Sequence, residues 1–214
     1  MVLLGINLSV AHYGIGLTSP KGKLIIEFTN DFARTESLID DITDLLAKHD
    51  LSLKDITKIG VVQGPGSYTG SRIACTLANT LNQVNQTPIL GLSSLEVLAH
   101  QSITTKGIFI LTFPRSKYDI NAALFSSDGR TIHRMTSDFT WPLDIMAKKC
   151  SQFKESIAII GQGYDSIKDD LLKNKALSCH PNTLTLTAVL TALEKSTQLS
   201  HPPILPLYSE PQVS

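Results

Sequence analysis

The sequence feature that most constrains the fold is a glycine-rich loop placed between a buried strand and a helix. Ile59–Val62 is a short apolar run of the kind that forms a buried strand. It leads into Gly64–Gly70, where three of seven residues are glycine. The helix predicted to follow has one apolar face at helical spacing, made of Ile73, Leu77, Leu81 and Val84. A strand, loop and helix in this order indicate an α/β protein, in which helices cover a sheet.

The loop itself has two interpretations. Backbone N–H groups at a helix N-terminus can hold an anion, which makes Gly64, Gly66, Ser67, Thr69 and Gly70 a candidate anion or nucleotide loop. No Gly-Lys-Ser/Thr follows, so it is not a Walker loop, and the Gly-x-Ser-x-Gly frame of a nucleophile elbow is missing. Glycines also permit a tight turn and close packing, and the sequence leaves both interpretations open.

The same order of elements occurs twice along the chain. The first copy has predicted strands at Val2–Asn7, Gly14–Thr18 and Lys23–Phe28, then a helix from about Leu38 and the glycine loop. The second has strands at Gly107–Phe113, Ile120–Ser126 and Thr131–Thr136, a helix around Ile145–Cys150, a strand at Ile157–Ile160 and a second glycine loop at Gly161–Gly163. Two such lobes, each a mixed sheet with flanking helices, predict the two-lobed α/β plan of the actin/Hsp70-like (ASKHA) fold. We place the lobes at residues 1–104 and 105–214, and we expect the proline-studded end from His201 onward to be loosely structured.

Composition limits the kind of protein this can be. The 19 basic and 19 acidic residues balance to a net charge of zero, so the chain has no basic footprint for binding nucleic acid by itself. No apolar run approaches the ~18 residues of a membrane span. The three cysteines are odd in number and far apart, which indicates a reducing compartment. We therefore expect a soluble cytoplasmic protein with no membrane contact.

No catalytic constellation can be assembled from the sequence. The six histidines include no pair at a spacing of four residues, which disfavours a metal site and a metallopeptidase. Nucleotide-hydrolysing members of the ASKHA superfamily place an acidic residue in the first hairpin, where this chain has Asn7, a poor ligand for Mg²⁺. We predict no catalytic residue, no metal and no cofactor. A nucleotide-binding phosphotransferase or ATPase of the actin-like superfamily is the alternative.

A family resemblance rests on the central loop. Gly64–Gly70 followed by Arg72 and Ile73 resembles the Gly-Pro-Gly-Ser-Phe/Tyr-Thr-Gly-x-Arg-Ile signature of the TsaB (YeaZ) family. The similarity extends to other segments, at Leu3–Ser9, Leu90–Leu95, Pro114–Arg115, Gly161–Gly163 and Pro206–Tyr208. The chain departs from the family at Asn7, where the family has aspartate, and at Glu36, where it often has a histidine and a serine.

This resemblance implies a non-catalytic subunit of the machinery that forms N6-threonylcarbamoyladenosine in tRNA. Such a subunit binds and activates its catalytic paralogue TsaD, works with a TsaE-like ATPase, meets tRNA only through the complex, and forms homodimers when alone. The contact with TsaD in this family is made mainly by helices of the first lobe. Here it maps to Leu38, Ile42, Leu45, Arg72, Ile73, Ala74, Leu77, Ala78 and Leu81.

Overall fold

The computed structural model describes residues 1–10, 13–18, 24–28, 38–195 and 200–211, and of 24–28 and 210–211 the backbone only. Lys23, the first residue of the third predicted strand, and the departure at Glu36 lie outside the described residues. The chain divides into two compact units. Unit 1 comprises Met1–Ser94 and Leu184–Leu207, and unit 2 comprises Leu95–Thr183 and Tyr208–Ser214.

The described residues form twelve strands and six helices. The strands are β1 (Val2–Asn7), β2 (Gly14–Thr18), β3 (Leu24–Phe28), β4 (Ile56–Gly64), β5 (Ile89–Ser93), β6 (Lys106–Pro114), β7 (Asp119–Asp128), β8 (Ile132–Arg134), β9 (Phe139–Pro142), β10 (Ile157–Gly161), β11 (Leu177–Pro181) and β12 (Glu210–Pro211). The helices are α1 (Leu38–Ala47), α2 (Tyr68–Asn85), α3 (Ser94–Ser102), α4 (Leu143–Cys150), α5 (Lys168–Leu172) and α6 (Leu186–Lys195).

Unit 1 is built on a five-stranded mixed sheet in the order β3-β2-β1-β4-β5. The first three strands form the predicted antiparallel meander, whereas β4 lies parallel to β1 and β5 parallel to β4. Successive side chains of a strand point to opposite faces of the sheet. Leu4 and Ile6 accordingly join the core that includes residues of α1 and α2, and Leu3 packs with Leu190 and Leu193 of α6. The sheet is therefore covered on both faces.

Unit 2 has a second mixed sheet, in the order β11-β10-β6-β7-β9-β12, with β8 paired to β7. Its core includes buried residues of β6, β9 and β10 packed with residues of α4 and α5, among them Ile110, Trp141, Met146, Ile159 and Leu171. The mixed sheets and flanking helices confirm the predicted fold class. Strand β9 was not predicted from the sequence.

The division between the units differs in position from the expected one. The boundary placed between residues 104 and 105 falls inside unit 2, and Leu184–Leu207 belongs to unit 1. The reason is that α6 packs on β1, β2 and β4, which lie far away in sequence. Residues 200–207 also differ from the expected loose tail, because Ile204 is buried in the core of unit 1. Within the described ranges, no helix is long and apolar enough to cross a membrane.

Candidate functional site

The glycine loop is held together by its own hydrogen bonds. Ser67 caps α2, its Oγ accepting a hydrogen bond from the Gly70 N–H at 3.1 Å. The Ser67 N–H donates to the carbonyl oxygen of Ser9, and the Ser71 N–H donates to the carbonyl oxygen of Ser67 at 2.9 Å. The N–H groups of Ser67 and Gly70 are therefore already bonded within the protein, where an anion-binding loop would direct such groups toward its ligand, and the Ser71 bond is the first of the helix itself.

Two glycines of the loop allow the chain after β1 to lie directly against it. A methyl group on Gly66 would overlap the carbonyl oxygen of Ser9, and one on Gly70 would overlap the carbonyl oxygen of Leu8. Any side chain larger than hydrogen would push the two segments apart. Close packing thus accounts for both glycines without a ligand.

Asn7, which stands at the family's aspartate position, is fully buried and takes part in the turn that follows β1. Its Oδ1 accepts hydrogen bonds from the N–H groups of Ser9 at 3.2 Å and Val10 at 3.5 Å. The Ser9 hydroxyl donates to the Val62 carbonyl oxygen at 2.7 Å and accepts from the Ser71 hydroxyl at 2.9 Å. Asn7 therefore stabilises the turn after β1, and Ser9 of that turn joins it to β4 and to the start of α2.

Most of the residues predicted to contact a partner lie in the core instead. The seven buried ones are Leu38, Ile42 and Leu45 of α1, and Ala74, Leu77, Ala78 and Leu81 of α2. None of the seven is more than 7% exposed. We correct this assignment, because a side chain that packs on the unit's own sheet offers no surface to a partner.

The exposed side of α2 is the surface that this helix does present. Its exposed residues, which we call the α2 outer face, are Tyr68, Thr69, Arg72, Thr76, Thr80, Gln83 and Val84. Tyr68 is 60% exposed and Val84, expected on the apolar inner side, is 71% exposed. The predicted contact residue Ile73 is half-buried beside them. Arg72 is the one charged residue among the eighteen of α2.

Arg72 and Tyr68 form a pair on this face. The Arg72 Nη1 donates a hydrogen bond to the Tyr68 hydroxyl at 2.7 Å, and its guanidinium carbon lies 5.2 Å from the centroid of the Tyr68 ring. A cation over an aromatic face is attracted by the ring quadrupole. The positive charge is thus held in a fixed place on an otherwise uncharged helix face.

Sequence reasoning missed Tyr68, Thr76, Thr80 and Val84 as surface residues of interest. The sequence contained the pattern, because together with Arg72 these residues recur every four positions and so lie on one side of a helix. An eighteen-residue helix with one charge is also unusual for a solvated surface, which normally carries charged residues.

Arg115, the residue after β6, forms hydrogen bonds within unit 2. Its Nη1 donates to the Thr140 Oγ1 at 2.8 Å and to the Ser209 carbonyl oxygen at 3.0 Å. Thr140 and Ser209 are both buried and both contact the Oδ1 of Asn121. The guanidinium therefore fixes residue 209 against the sheet of unit 2.

Metal and thiol chemistry have no support in the described residues. No group of three or more His, Cys, Asp or Glu side chains there could hold a metal ion. Burial raises the pKa of the Cys75 thiol to about 11 and that of the Cys150 thiol to about 12. Both therefore remain protonated at neutral pH, whereas a nucleophilic cysteine requires a thiolate.

The fold and this site define the class of protein: a two-unit α/β protein with a mixed sheet in each unit, whose glycine loop is packed against the segment that follows β1. Comparison with known proteins then indicates which family within this class the chain resembles. A family model described as TsaD, tRNA N6-adenosine threonylcarbamoyltransferase, matches residues 33–119. YeaZ from Pseudomonas aeruginosa, a solved structure, is 16% identical, with a TM-score of 0.71 over 97% of this chain and 100% of that one.

The curated relatives that match this chain are all named TsaB. The tRNA threonylcarbamoyladenosine biosynthesis protein TsaB of Bacillus subtilis is 31% identical over 64% of this chain and 61% of its own length. TsaB of Buchnera aphidicola subsp. Baizongia pistaciae is 23% identical over 96% of each chain. This chain is similar to proteins of the TsaB (YeaZ) family in sequence and in fold. It spans less than two thirds of the Bacillus relative that it matches.

Proposed function

We propose that this chain is a non-catalytic cytoplasmic subunit of the machinery that makes N6-threonylcarbamoyladenosine in tRNA, and that it binds and activates the catalytic paralogue TsaD. Its relatives are named for this biosynthesis. The buried amide of Asn7 and the internally bonded glycine loop are consistent with a protein that binds rather than turns over a substrate. A TsaE-like ATPase and tRNA would join through the complex.

The α2 outer face is the observation that carries this proposal. It offers an exposed helix surface with one charged side chain, and interface centres are depleted of charge in the same way. Tyrosine and arginine are also the residue types that most often dominate binding energy, and here they are already paired. A pre-paired arginine loses little freedom when a partner binds.

The matched family model supports the choice of the catalytic paralogue as the partner. The TsaD model covers residues 33–119, a segment that contains α1, β4 and α2. A catalytic paralogue would therefore carry helices that correspond to α1 and α2, and the two proteins can pair through equivalent faces. In the absence of the paralogue the same face would pair two copies of this chain, as self-complementary surfaces do.

A reconstitution assay tests the function. Purified paralogue and ATPase are incubated with tRNA, Mg-ATP and an activated threonylcarbamoyl donor that carries radiolabelled threonine, with and without this chain, and incorporation into tRNA is measured. We expect the rate to fall at least tenfold when the chain is left out or is replaced by Thr76→Arg, which puts a second charge on the α2 outer face. Thr131→Arg, at an exposed turn of unit 2, is the control and should keep the wild-type rate. Equal modification with and without the chain would contradict the proposal.

A further inference from the structure

We propose that residues 200–207, which we call the C-terminal strap, form the second part of the partner-binding surface, with Leu205 and Leu207 in contact with the paralogue. The proposal rests on the function proposed above and names a second binding element for it. It replaces the loosely structured tail expected from the proline content with a fixed, exposed apolar ridge.

The first anchor of the strap is on α2. The Asn79 side-chain amide donates to the Ile204 carbonyl oxygen at 2.9 Å, and the Ile204 N–H donates to the Asn79 Oδ1 at 2.9 Å. The two bonds imitate the pairing of neighbouring strands. Ile204 itself is 4% exposed and packs in the core of unit 1. The strap is therefore fastened to α2 by main chain and side chain together.

The second anchor is at the end of β4. The Gln63 Nε2 donates to the Leu205 carbonyl oxygen, and the Leu207 N–H donates to the Gln63 carbonyl oxygen at 2.9 Å. The strap comes so close to Gly64 that a Cβ on that residue would lie 2.6 Å from the carbonyl oxygen of Leu207. The side-chain amide and the carbonyl oxygen of Gln63 therefore both hold the strap.

These anchors leave two leucines facing outward. Leu205 is 68% exposed and Leu207 is 38% exposed, whereas Ile204 of the first anchor is buried. A large exposed apolar side chain on a free loop could turn toward the protein, but the anchors hold these two in place. Fixed exposed leucines cost little conformational entropy when they are buried by a partner.

The strap is continuous with the α2 outer face. Asn79, which holds Ile204, lies one helical turn from both Thr76 and Gln83, and residues three or four apart are neighbours on a helix surface. A partner that covers this part of α2 therefore reaches the strap as well. Between Pro202 and Ser209 the sequence has no charged residue.

The uncharged, apolar composition of the strap favours contact with the paralogue over contact with tRNA. RNA is held mainly through its phosphates, which need lysine or arginine, and the strap supplies neither. A corresponding apolar helix face on the paralogue would bury both leucines beside α2. The strap thus enlarges one surface rather than forming a separate site.

Binding of purified paralogue to this chain tests the inference. We expect the Leu205→Asp/Leu207→Asp double variant to bind at least tenfold more weakly by titration calorimetry. Leu172→Asp, a leucine of unit 2 that is 44% exposed, is the matched control and should stay within twofold of wild type. A double variant that binds like wild type would overturn the role of the strap and leave the proposed function standing. A wild-type chain that does not bind the paralogue would overturn both.

A second measurement does not depend on the folding of the double variant. A photoreactive phenylalanine analogue placed at residue 205 should crosslink to the paralogue, while the same group at residue 172 should not. Crosslinking at 205 that is no stronger than at 172 would also overturn the inference.

Discussion

The Arg72 Nη1 lies 2.7 Å from the Tyr68 hydroxyl, one helical turn away on the exposed side of α2. This contact places the one positive charge of the helix over the face of an aromatic ring that is itself 60% exposed. Arginine and tyrosine are among the residue types that most often dominate binding energy at protein interfaces. We therefore expect this pair to be a point of contact with a partner.

We accordingly predict that Arg72→Glu weakens binding to the paralogue by at least tenfold and leaves the melting temperature within about 2 °C of wild type. Tyr68→Ala should have a similar but smaller effect, because it removes the ring that holds the guanidinium. Titration calorimetry with purified paralogue measures both. Arg130→Glu, at an exposed turn of unit 2, controls for the change in net charge. Equal affinities for Arg72→Glu and wild type would exclude this face as the binding surface.

Two isoleucines of α1 test the distinction between core and surface. Ile42 is fully buried in the core of unit 1, whereas Ile39 on the same helix is 42% exposed. Ile42→Asp should destabilise the chain by about 4 kcal/mol or more, because it removes a packed side chain and buries a carboxylate. Ile39→Asp should change stability by less than about 0.5 kcal/mol. Urea unfolding followed by circular dichroism compares the two, and equal midpoints would contradict the placement of α1.

The packing of the glycine loop predicts that substitutions at neighbouring positions have very different effects on stability. Gly66→Ala should lower the free energy of unfolding by about 3 kcal/mol, because its methyl group would collide with the carbonyl oxygen of Ser9. Thr69→Ala, at an exposed position of the same loop, should be close to neutral. Thermal melts of both variants provide the check. A Gly66→Ala protein as stable as wild type would mean that this segment is not packed as described.

The buried thiols predict a loss of stability at alkaline pH. Burial raises the pKa of Cys75 to about 11 and of Cys150 to about 12, from an ordinary value of 9.0. The unfolded chain therefore releases these protons from about pH 9 upward while the folded chain keeps them, so stability is intact below pH 9 and falls above it. Urea unfolding at pH 8 and pH 10.5 should show a smaller loss in Cys75→Ala/Cys150→Ala than in wild type. Equal losses would show that the thiols do not contribute.

Local sequence patterns predicted a large part of the fold. The bounds of β1 and β2 agree with those expected, because each is a short apolar segment followed by polar residues. Ser52 and Asp55 form a capping box, with the Ser52 N–H donating to the Asp55 Oδ2 at 2.7 Å. These features depend on interactions between residues close in sequence.

Features that depend on distant residues could not be predicted. The strap is held by Asn79, which is 125 residues from Ile204, and no local pattern reports such a pair. The segment around β9 ends in Thr-Trp-Pro and has no alternation that would reveal a strand. The loose tail was inferred from prolines alone, without the hydrogen bonds that fix it.

The prediction of the partner-contact residues on α1 and α2 was wrong for a different physical reason. Apolar periodicity marks the side of a helix that packs on its own sheet, so Ile42 and Ala78 were bound to be core residues. The outer side of α2 is recognised because it has no charged residue other than Arg72. The family resemblance correctly indicated the relatives but could not distinguish the two sides of a helix.

The claim that this chain is a binding subunit is tested most directly by its association state with the paralogue. The two proteins are co-expressed with a tag on the paralogue only, and the eluate is analysed by size-exclusion chromatography with light scattering. We predict a stable complex that contains both chains and is lost with Arg72→Glu but retained with Arg130→Glu. Separate elution of the two wild-type chains would contradict the account.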